Sequence, residues 1–159
     1  MGTNTTTLSK GTNDISIDID HILLELESLP EYNTQLSLQV TPSGSSGEGK
    51  LNNLNFLEKD FNVFAYDLPY TNSIIHELGM YRTRLMNMKP KTCYSYHWDP
   101  TKRMHIPLIT NENNFFVIDD EVSRYPADGS YYLIDTTKKH TFVNASFENR
   151  LHIVGCVDE

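Results

Sequence analysis

Short runs of alternating apolar and polar residues dominate the chain from about residue 80 onward. Because successive side chains on a strand point to opposite faces, such runs predict half-buried β-strands. Pro, Gly, Asn and Asp residues separate the runs, and this spacing is typical of an all-β barrel or jelly roll. The predicted strands span residues 81–88, 92–98, 103–109, 115–119, 130–134, 140–144 and 150–157.

The pattern before residue 80 indicates a short helical flank. Leucines at helical spacing follow Asp20, a candidate N-cap, and Pro30 ends the run, which predicts a helix over 21–29. A second helix is predicted over 71–78, because Gly79 follows it as a C-terminal stop signal.

Composition divides the chain into a tail and one domain. Residues 1–14 are rich in Thr, Asn and Gly, and we expect a disordered tail. Residues 15–159 are predicted to form a single domain with its core at 80–157. Alternating apolar residues predict a strand over 36–40, and the Gly- and Ser-rich segment 41–50 predicts a mobile surface loop.

Charge excludes some classes of partner. The formal net charge is −8, whereas nucleic acids and anionic membranes attract clustered Lys and Arg, so we expect neither partner. No apolar run approaches the ~20 residues of a membrane span. The N-terminal sequence has no secretory pattern, and we expect a cytoplasmic protein with Cys93 and Cys156 reduced. The oligomeric state stays open.

The candidate chemistry begins at His97-Trp98-Asp99. A His and a carboxylate two residues apart share one face of a strand, and His140 begins a distant strand. Two imidazoles and one carboxylate form the facial triad of non-haem Fe(II) oxygenases. The H-x-D pattern alone is common by chance, so the interpretation depends also on Arg150, which follows in a strand and is suited to bind a carboxylate through paired hydrogen bonds.

Three segments together resemble a known superfamily: HWDPTKRMHIPL, DTTKKHTFVNAS and RLHIV. They are similar to Fe(II)/2-oxoglutarate-dependent dioxygenases, and most similar to the aspartyl/asparaginyl β-hydroxylase-like branch, which includes small free-proline hydroxylases. The resemblance covers about residues 80–157. It implies a mainly β fold, a double-stranded β-helix of the jelly-roll or cupin-like kind, with the short helical flank at its N-terminal side.

The resemblance also implies an activity. This is hydroxylation of an amino acid, a protein side chain or another small polar substrate, with Fe(II), 2-oxoglutarate and O₂ required and succinate and CO₂ released. Some aspartyl β-hydroxylases lack the carboxylate ligand that Asp99 would supply, which brings the chain nearer to the proline-hydroxylase-like members. The implied roles are Fe(II) binding by His97, Asp99 and His140, binding of the distal carboxylate of 2-oxoglutarate by Arg150, and positions near the co-substrate for His105 and Arg103, the latter near it or a substrate carboxylate.

Two other functional classes remain open on the sequence alone. One is a cupin-like metal-binding module without oxygenase turnover, and the other is an interaction domain in which the His and Asp residues are coincidental. Several side chains carry weaker expectations. Arg84 faces the substrate or forms a rim salt bridge; Asn144 lines the site or caps a strand; Tyr96 and Trp98 belong to the core or a sheet face; His21, His76 and His152 have surface or packing roles.

Overall fold

The computed structural model describes residues 15–51 and 55–158, and the backbone of residues 8–9. Helices α1 and α2 span Ile19–Leu26 and Pro69–Glu77, and a short 3-10 helix spans Glu58–Asp60. Strands β1 to β12 span, in chain order, Leu8–Ser9, Gln35–Ser37, Gln39–Val40, Val63–Phe64, Tyr81–Met88, Thr92–Cys93, Arg103–Ile109, Asn114–Ile118, Glu121–Ser123, Tyr132–Ile134, His140–Asn144 and Arg150–Cys156.

Two antiparallel sheets build the fold. The larger sheet has the strand order β1-β10-β7-β12-β5-β2, the smaller one has the order β6-β11-β8-β9, and β3 pairs with β4. An aromatic and aliphatic cluster from both sheets fills the space between them, including Met88, Phe116, Ile134 and Phe142. Two facing sheets whose strands alternate along the chain make a jelly roll. The predicted mainly β fold class is therefore confirmed.

The helical flank covers the outer face of the larger sheet. Ile22 of α1 and Ile75 of α2 are fully buried in one cluster with Leu85, Ile106 and Ile153 of the sheet. Burying each such aliphatic side chain contributes about 1.5–3 kcal/mol to folding. None of the described helices is long and apolar enough to cross a bilayer.

The start of α1 differs from its prediction by two residues. Asp18 caps it, accepting a hydrogen bond from the backbone N–H of His21 at 3.1 Å, where the sequence favoured Asp20. The physical reason is the preceding residue. Ile17 is buried and its N–H donates to the carbonyl of Gly129 at 3.1 Å, so the chain is free to turn only after Ile17.

Strand β12 shows how the larger sheet separates two environments. Leu151 and Ile153 face the helices, whereas Arg150 and His152 face the interior of the jelly roll. Strand β7 repeats this division, because Ile106 packs under the helices while its neighbours alternate inward. On these two strands the interior face of the larger sheet therefore carries buried polar side chains.

The predicted strand over 92–98 is too long. The strand itself spans only Thr92–Cys93, and the N–H of Tyr94 makes one more bond to β11, to the carbonyl of Phe142 at 3.1 Å. Contact resumes as an isolated bridge in which the N–H of His97 donates to the carbonyl of His140 at 3.0 Å. Between these points the chain leaves the sheet and the side-chain alternation is lost. Tyr96 and Trp98 are consequently 45% and 64% exposed, and their predicted core or sheet-face position is wrong.

Several segments near the N-terminal side also depart from expectation. The predicted tail 1–14 lies outside the described residues except for the backbone of Leu8–Ser9, which pairs with β10. The predicted strand over 36–40 is divided into β2 and β3. The loop 41–50 is tied down, since the N–H of Gly47 donates to Oγ of Ser37 at 2.8 Å and Nη2 of Arg82 donates to the carbonyl of Gly49 at 2.6 Å.

Asn144 has a structural position. Its fully buried amide donates to the carbonyls of Met88 at 3.0 Å and Glu148 at 2.8 Å, and its Oδ1 accepts from Ser146. These bonds close the turn between β11 and β12, which sets where Arg150 begins its strand.

We therefore expect Asn144→Ala to lower the free energy of unfolding by about 2–3 kcal/mol, because it leaves a buried carbonyl without a donor. Urea denaturation followed by circular dichroism measures the change. The exposed neighbour Asn149 supplies the control Asn149→Ala, which should be close to wild type. Equal stability of the two variants would contradict this account of the turn.

Candidate functional site

Three side chains meet at one end of the jelly roll. His97 and Asp99 lie where the chain returns to the smaller sheet, and His140 is the first residue of β11. One ligand atom from each lies within 4.8 Å of the others. Nε2 of His97 is 3.9 Å from Oδ1 of Asp99, and Nε2 of His140 is 3.6 Å from Oδ2 of Asp99. Two ligand atoms that each lie about 2.0–2.2 Å from one ion can be up to about twice that distance apart. The measured separations of 3.9 and 3.6 Å are within this limit, so the group fits a single metal ion.

Backbone carbonyls orient both imidazoles. Nδ1 of His97 is 2.6 Å from the carbonyl of Ser95, and Nδ1 of His140 is 2.8 Å from the carbonyl of Lys138. Because a carbonyl only accepts, each Nδ1 must carry the proton, and each Nε2 presents a lone pair toward Asp99. Nε2 of His140 is buried without a hydrogen-bond partner among the described residues. A divalent cation would satisfy it.

The electrostatics of His140 also suit a metal ligand. Burial lowers the pKa of His140, the carboxylate of Asp99 opposes that shift, and the neighbouring His97 and Arg103 add to it. The net direction favours the neutral imidazole, the form that binds a metal. Asp99 is held in turn by its own backbone, whose N–H donates to the carbonyl of Thr136 at 2.8 Å.

Arg103 is bonded to protein groups on every side. Its Nη2 lies 2.9 Å from Oε2 of Glu58, its Nη1 donates to the carbonyl of Thr101 and to Sγ of Cys156, both at 3.2 Å, and its Nε is 4.0 Å from Oδ2 of Asp99. The family resemblance placed Arg103 near the co-substrate or a substrate carboxylate. In this structure the carboxylates it meets are those of Glu58 and Asp99.

Glu58 is a site residue that the sequence analysis missed. It enters from the short 3-10 helix, far from the predicted core, and its Oε2 also accepts from Nη1 of Arg82 at 2.9 Å. Its Oε1 accepts from Oγ1 of Thr101 at 2.7 Å. Burial alone would raise the pKa of Glu58, but Arg103 and the hydrogen bonds outweigh it and the pKa is lowered. No periodic pattern around residue 58 distinguishes this Glu from surface acids.

Arg150 is the largest fully buried side chain, 1% exposed, and it faces the interior. None of its three guanidinium nitrogens has a hydrogen-bond partner among the described residues. The guanidinium lies 5.9 Å and 5.7 Å from the ring centroids of Phe116 and Phe142. Burial lowers the pKa of Arg150 to about 10, so it remains a cation at neutral pH. A buried unpaired cation is costly, and this position therefore fits an anionic ligand.

His105 and His152 form a pair beside Arg150. Their Nδ1 atoms are 3.0 Å apart, both residues are 1% exposed, and both Nε2 atoms lack a partner within the described part of the chain. Burial, and after it the charge of Arg150, lowers the pKa of both residues well below the usual value. Of the surface and packing roles expected for His152, its burial excludes the surface role. Its position two residues after Arg150, on the same face, is the signal for the inward orientation.

Arg84 is a second buried arginine that has an unused hydrogen-bond donor among the described residues. It is 6% exposed, its Nη1 donates to Oε1 of Gln35 at 3.2 Å, and its Nε has no partner among the described residues. Burial, followed by the charges of Arg82 and Arg103, lowers the pKa of Arg84 to about 10. The described residues provide it with no salt bridge, so of its two predicted roles the rim salt bridge has no support.

The jelly roll thus brings a His-x-Asp pair and a distant His to positions where they could hold a metal ion, with a buried arginine in the same interior. The chain belongs to the aspartyl/asparaginyl beta-hydroxylase family, whose family model matches residues 14–158. The predicted relationship is thereby confirmed, and it includes the helical flank as well as the strands. Membership places the protein in a family of hydroxylases. A comparison with curated proteins finds no match.

We expect Glu58→Gln to lower the free energy of unfolding by about 3 kcal/mol at neutral pH, because two buried arginines lose their shared anion. The folded-state pKa of Glu58 is depressed, so its contribution is complete above the unfolded value of about 4.3 and is lost as pH falls through the folded pKa. Urea denaturation at neutral and at acid pH should show the variant and wild type converging in acid.

The exposed Glu148 offers a matched control. Glu148→Gln should follow the wild-type stability across the same pH range. A constant difference between Glu58→Gln and wild type from neutral to acid pH would mean that the ionised carboxylate does not stabilise this cluster.

Proposed function

We propose that the protein is an Fe(II)- and 2-oxoglutarate-dependent dioxygenase that hydroxylates an amino acid, a protein side chain or another small polar substrate. The observation that carries the proposal is the guanidinium of Arg150, which is buried without a hydrogen-bond partner or anion from the described residues, in the same interior as the His97, Asp99 and His140 cluster. A metal site alone would suit many proteins. A metal site with a buried carboxylate receptor beside it suits a dicarboxylate co-substrate.

The metal ligands in this proposal are Nε2 of His97, Nε2 of His140 and a carboxylate oxygen of Asp99. Two imidazoles and one carboxylate leave coordination positions open, the donor set associated with non-haem Fe(II). Bound Fe(II) and 2-oxoglutarate, with O₂, supply the oxidising chemistry that converts C–H into C–OH and releases succinate and CO₂. The protein contributes the fixed ligand tautomers described above and a water-poor interior.

Arg150 binds the distal carboxylate of the co-substrate. The ring of Phe142 is close to both sites, with its centroid 5.7 Å from the guanidinium of Arg150 and 5.1 Å from the ring centroid of His140. Phe116 and Phe142 exclude water from the ion pair, which strengthens its attraction.

Arg84 is our choice for the group that meets the substrate. It lies on the interior face of β5, its charge interacts with Asp99, and it retains an unpaired buried N–H. Arg103 is occupied by Glu58, so Arg84 is the cation better placed to receive an acidic group of the substrate. The proposal is thus a small-molecule or peptide substrate that carries a carboxylate near the hydroxylated carbon.

A cupin-like metal-binding module without turnover is the competing function. It accounts for the three ligands but not for Arg150, because a barrel that only binds a metal gains nothing from a buried unpaired cation. An interaction domain with coincidental residues accounts for neither, since the carbonyl bonds to both Nδ1 atoms orient the imidazoles toward Asp99.

We expect the purified protein to bind Fe(II) and 2-oxoglutarate under anaerobic conditions, with a visible absorbance band, and to release succinate in a screen of acidic substrates. His140→Ala removes one of three protein ligands and should abolish succinate release and most Fe(II) binding. His76→Ala, at an exposed position of α2, is the matched control and should behave as wild type. Fe(II) binding without 2-oxoglutarate binding would favour the metal-binding module instead.

We expect Arg150→Lys to weaken 2-oxoglutarate binding and leave Fe(II) affinity nearly intact, because an ammonium cannot form two parallel hydrogen bonds with a carboxylate. Disrupting a desolvated charge pair costs about 2–5 kcal/mol, or roughly 30- to several-thousand-fold in Kd. The same anaerobic titration measures both affinities. Arg124→Lys changes an exposed arginine and serves as control. An unchanged Kd in Arg150→Lys would mean that the anchor is elsewhere.

A further inference from the structure

We propose that Glu58 is a positioning residue of the metal cluster. By binding the guanidinium of Arg103, it keeps this cation from forming a direct ion pair with Asp99, so that the carboxylate of Asp99 remains available to the metal ion. The inference rests on the proposed function in one respect, because it takes His97, Asp99 and His140 as the metal ligands. Its tests measure metal affinity and geometry rather than turnover.

Arg103 lies between two carboxylates and contacts them unequally. Its Nη2 is 2.9 Å from Oε2 of Glu58, which is the distance of a direct charge-assisted hydrogen bond. Its Nε is 4.0 Å from Oδ2 of Asp99, which is beyond hydrogen-bond distance. The same guanidinium is therefore bonded to Glu58 and only lies near Asp99.

The oxygen of Asp99 near Arg103 is also the oxygen near a metal ligand. Oδ2 of Asp99 is 3.6 Å from Nε2 of His140. A guanidinium in direct contact with this carboxylate would neutralise its charge and would stand within a few ångströms of a divalent cation, where like charges repel strongly. Arg103 and a metal ion are consequently competitors for the carboxylate of Asp99.

Burial explains why Arg103 always requires an anion. Its side chain is 5% exposed, compared with 14% for Glu58 and 24% for Asp99. A buried guanidinium without a counter-charge is costly, so it bonds to the carboxylate within reach. Within the described part of the chain, the carboxylates near Arg103 are those of Glu58 and Asp99. Loss of the charge on Glu58 would therefore move Arg103 toward Asp99.

Glu58 is itself held in a position where it acts on Arg103 and not on the metal ion. Its Oε1 accepts from Oγ1 of Thr101 at 2.7 Å, and its Oε2 also accepts from Nη1 of Arg82 at 2.9 Å. Arg82 is fixed in turn, because it donates to two backbone carbonyls. Both carboxylate oxygens of Glu58 are thus engaged, and the described residues grouped to hold a metal ion do not include it.

A double-mutant cycle tests the inference through Fe(II) affinity, measured anaerobically in competition with a chromophoric chelator. We expect Glu58→Gln to raise the Kd of Fe(II) roughly 10- to 100-fold, the range for loss of a group behind a metal ligand. Arg103→Gln alone should leave the Kd unchanged or lower it, because it removes the competing cation. The double variant Glu58→Gln, Arg103→Gln should return the Kd to near that of wild type, so the two effects should not add.

Two further variants separate the charge of Glu58 from its part in the fold. Arg82→Gln removes the bonds of Arg82 to Glu58 and to two backbone carbonyls, so it weakens the fold but preserves the contact between Glu58 and Arg103. Thr101→Val removes the hydroxyl that donates to Glu58 and changes no charge. Both variants should bind Fe(II) with the affinity of wild type.

A crystal structure of the wild type loaded with Zn(II) needs no variant. We expect Nη2 of Arg103 to remain bonded to Glu58, and Asp99 to bind the metal without a bidentate contact to Arg103. A bidentate pair between Arg103 and Asp99 in the metal-loaded protein would overturn the inference even if every variant fails to fold.

The remaining outcomes of the cycle are equally decisive. An unchanged Kd in Glu58→Gln, or a Kd raised to the same extent in the double variant, would mean that Arg103 does not compete for Asp99. A similar rise in Arg82→Gln or Thr101→Val would mean that Glu58 acts only through the fold. Each of these results overturns the inference, while binding of Fe(II) and 2-oxoglutarate by the wild type preserves the proposed function. A wild type that binds no Fe(II) would remove both.

Discussion

The structure depends on one constraint: the central strands β7 and β12 must present aliphatic side chains to one face and polar ones to the other. Ile106 on β7 and Ile153 on β12 are fully buried beneath the helices, while His105 on β7 and Arg150 and His152 on β12 point into the jelly roll. One apolar cluster therefore lies on the outer face of the larger sheet, and the interior holds polar side chains beside a second cluster that includes Met88 and Ile134. This arrangement leaves the interior free to hold groups that no folding argument would place there.

The charges of that interior are unevenly matched. Glu58 is shared by Arg82 and Arg103 at 2.9 Å each. Arg150 and Arg84 keep unpaired guanidinium nitrogens among the described residues. A protein that buries more cation than anion gains stability from any anion it binds, since ligand binding to the folded state shifts the unfolding equilibrium. The co-substrate and the substrate proposed above would each bring one carboxylate, one for Arg150 and one for Arg84.

The sequence predicted the residues whose side chains follow strand alternation. His105 with Arg103 on β7 and Arg150 on β12 could be placed because residues two apart on a strand share a face. The structure also brings His97, Asp99 and His140 together, although of the first two only His97 keeps a bridge to β11. Prediction failed where alternation stops. Trp98 is exposed because the chain leaves the sheet after Tyr94, and the sequence shows no break there.

Glu58 could not be predicted for a different reason. It reaches the arginines from a one-turn helix, and a single turn has no periodicity from which a face can be read. Its partners are 24 and more positions away in the chain, so only the folded arrangement identifies it. The ion pair between Arg103 and this carboxylate could not be predicted either. The spacing of Arg103 and His105, two residues apart, indicates that they share a face but not which anion Arg103 contacts.

The imidazoles of the site differ in the group that is hydrogen-bonded to Nδ1. This difference distinguishes the metal cluster from the pocket beside Arg150. His97 and His140 are bonded at Nδ1 to backbone carbonyls, which only accept, so their tautomer is determined before any ligand arrives. His105 is bonded at Nδ1 to another imidazole, which can accept or donate. The metal cluster is therefore fixed by the fold, whereas the pocket beside Arg150 can adapt its pattern of donors to the group that enters it. In such a site the tautomers of the metal ligands are determined by the fold, whereas the tautomer of His105 is determined by the anion that binds.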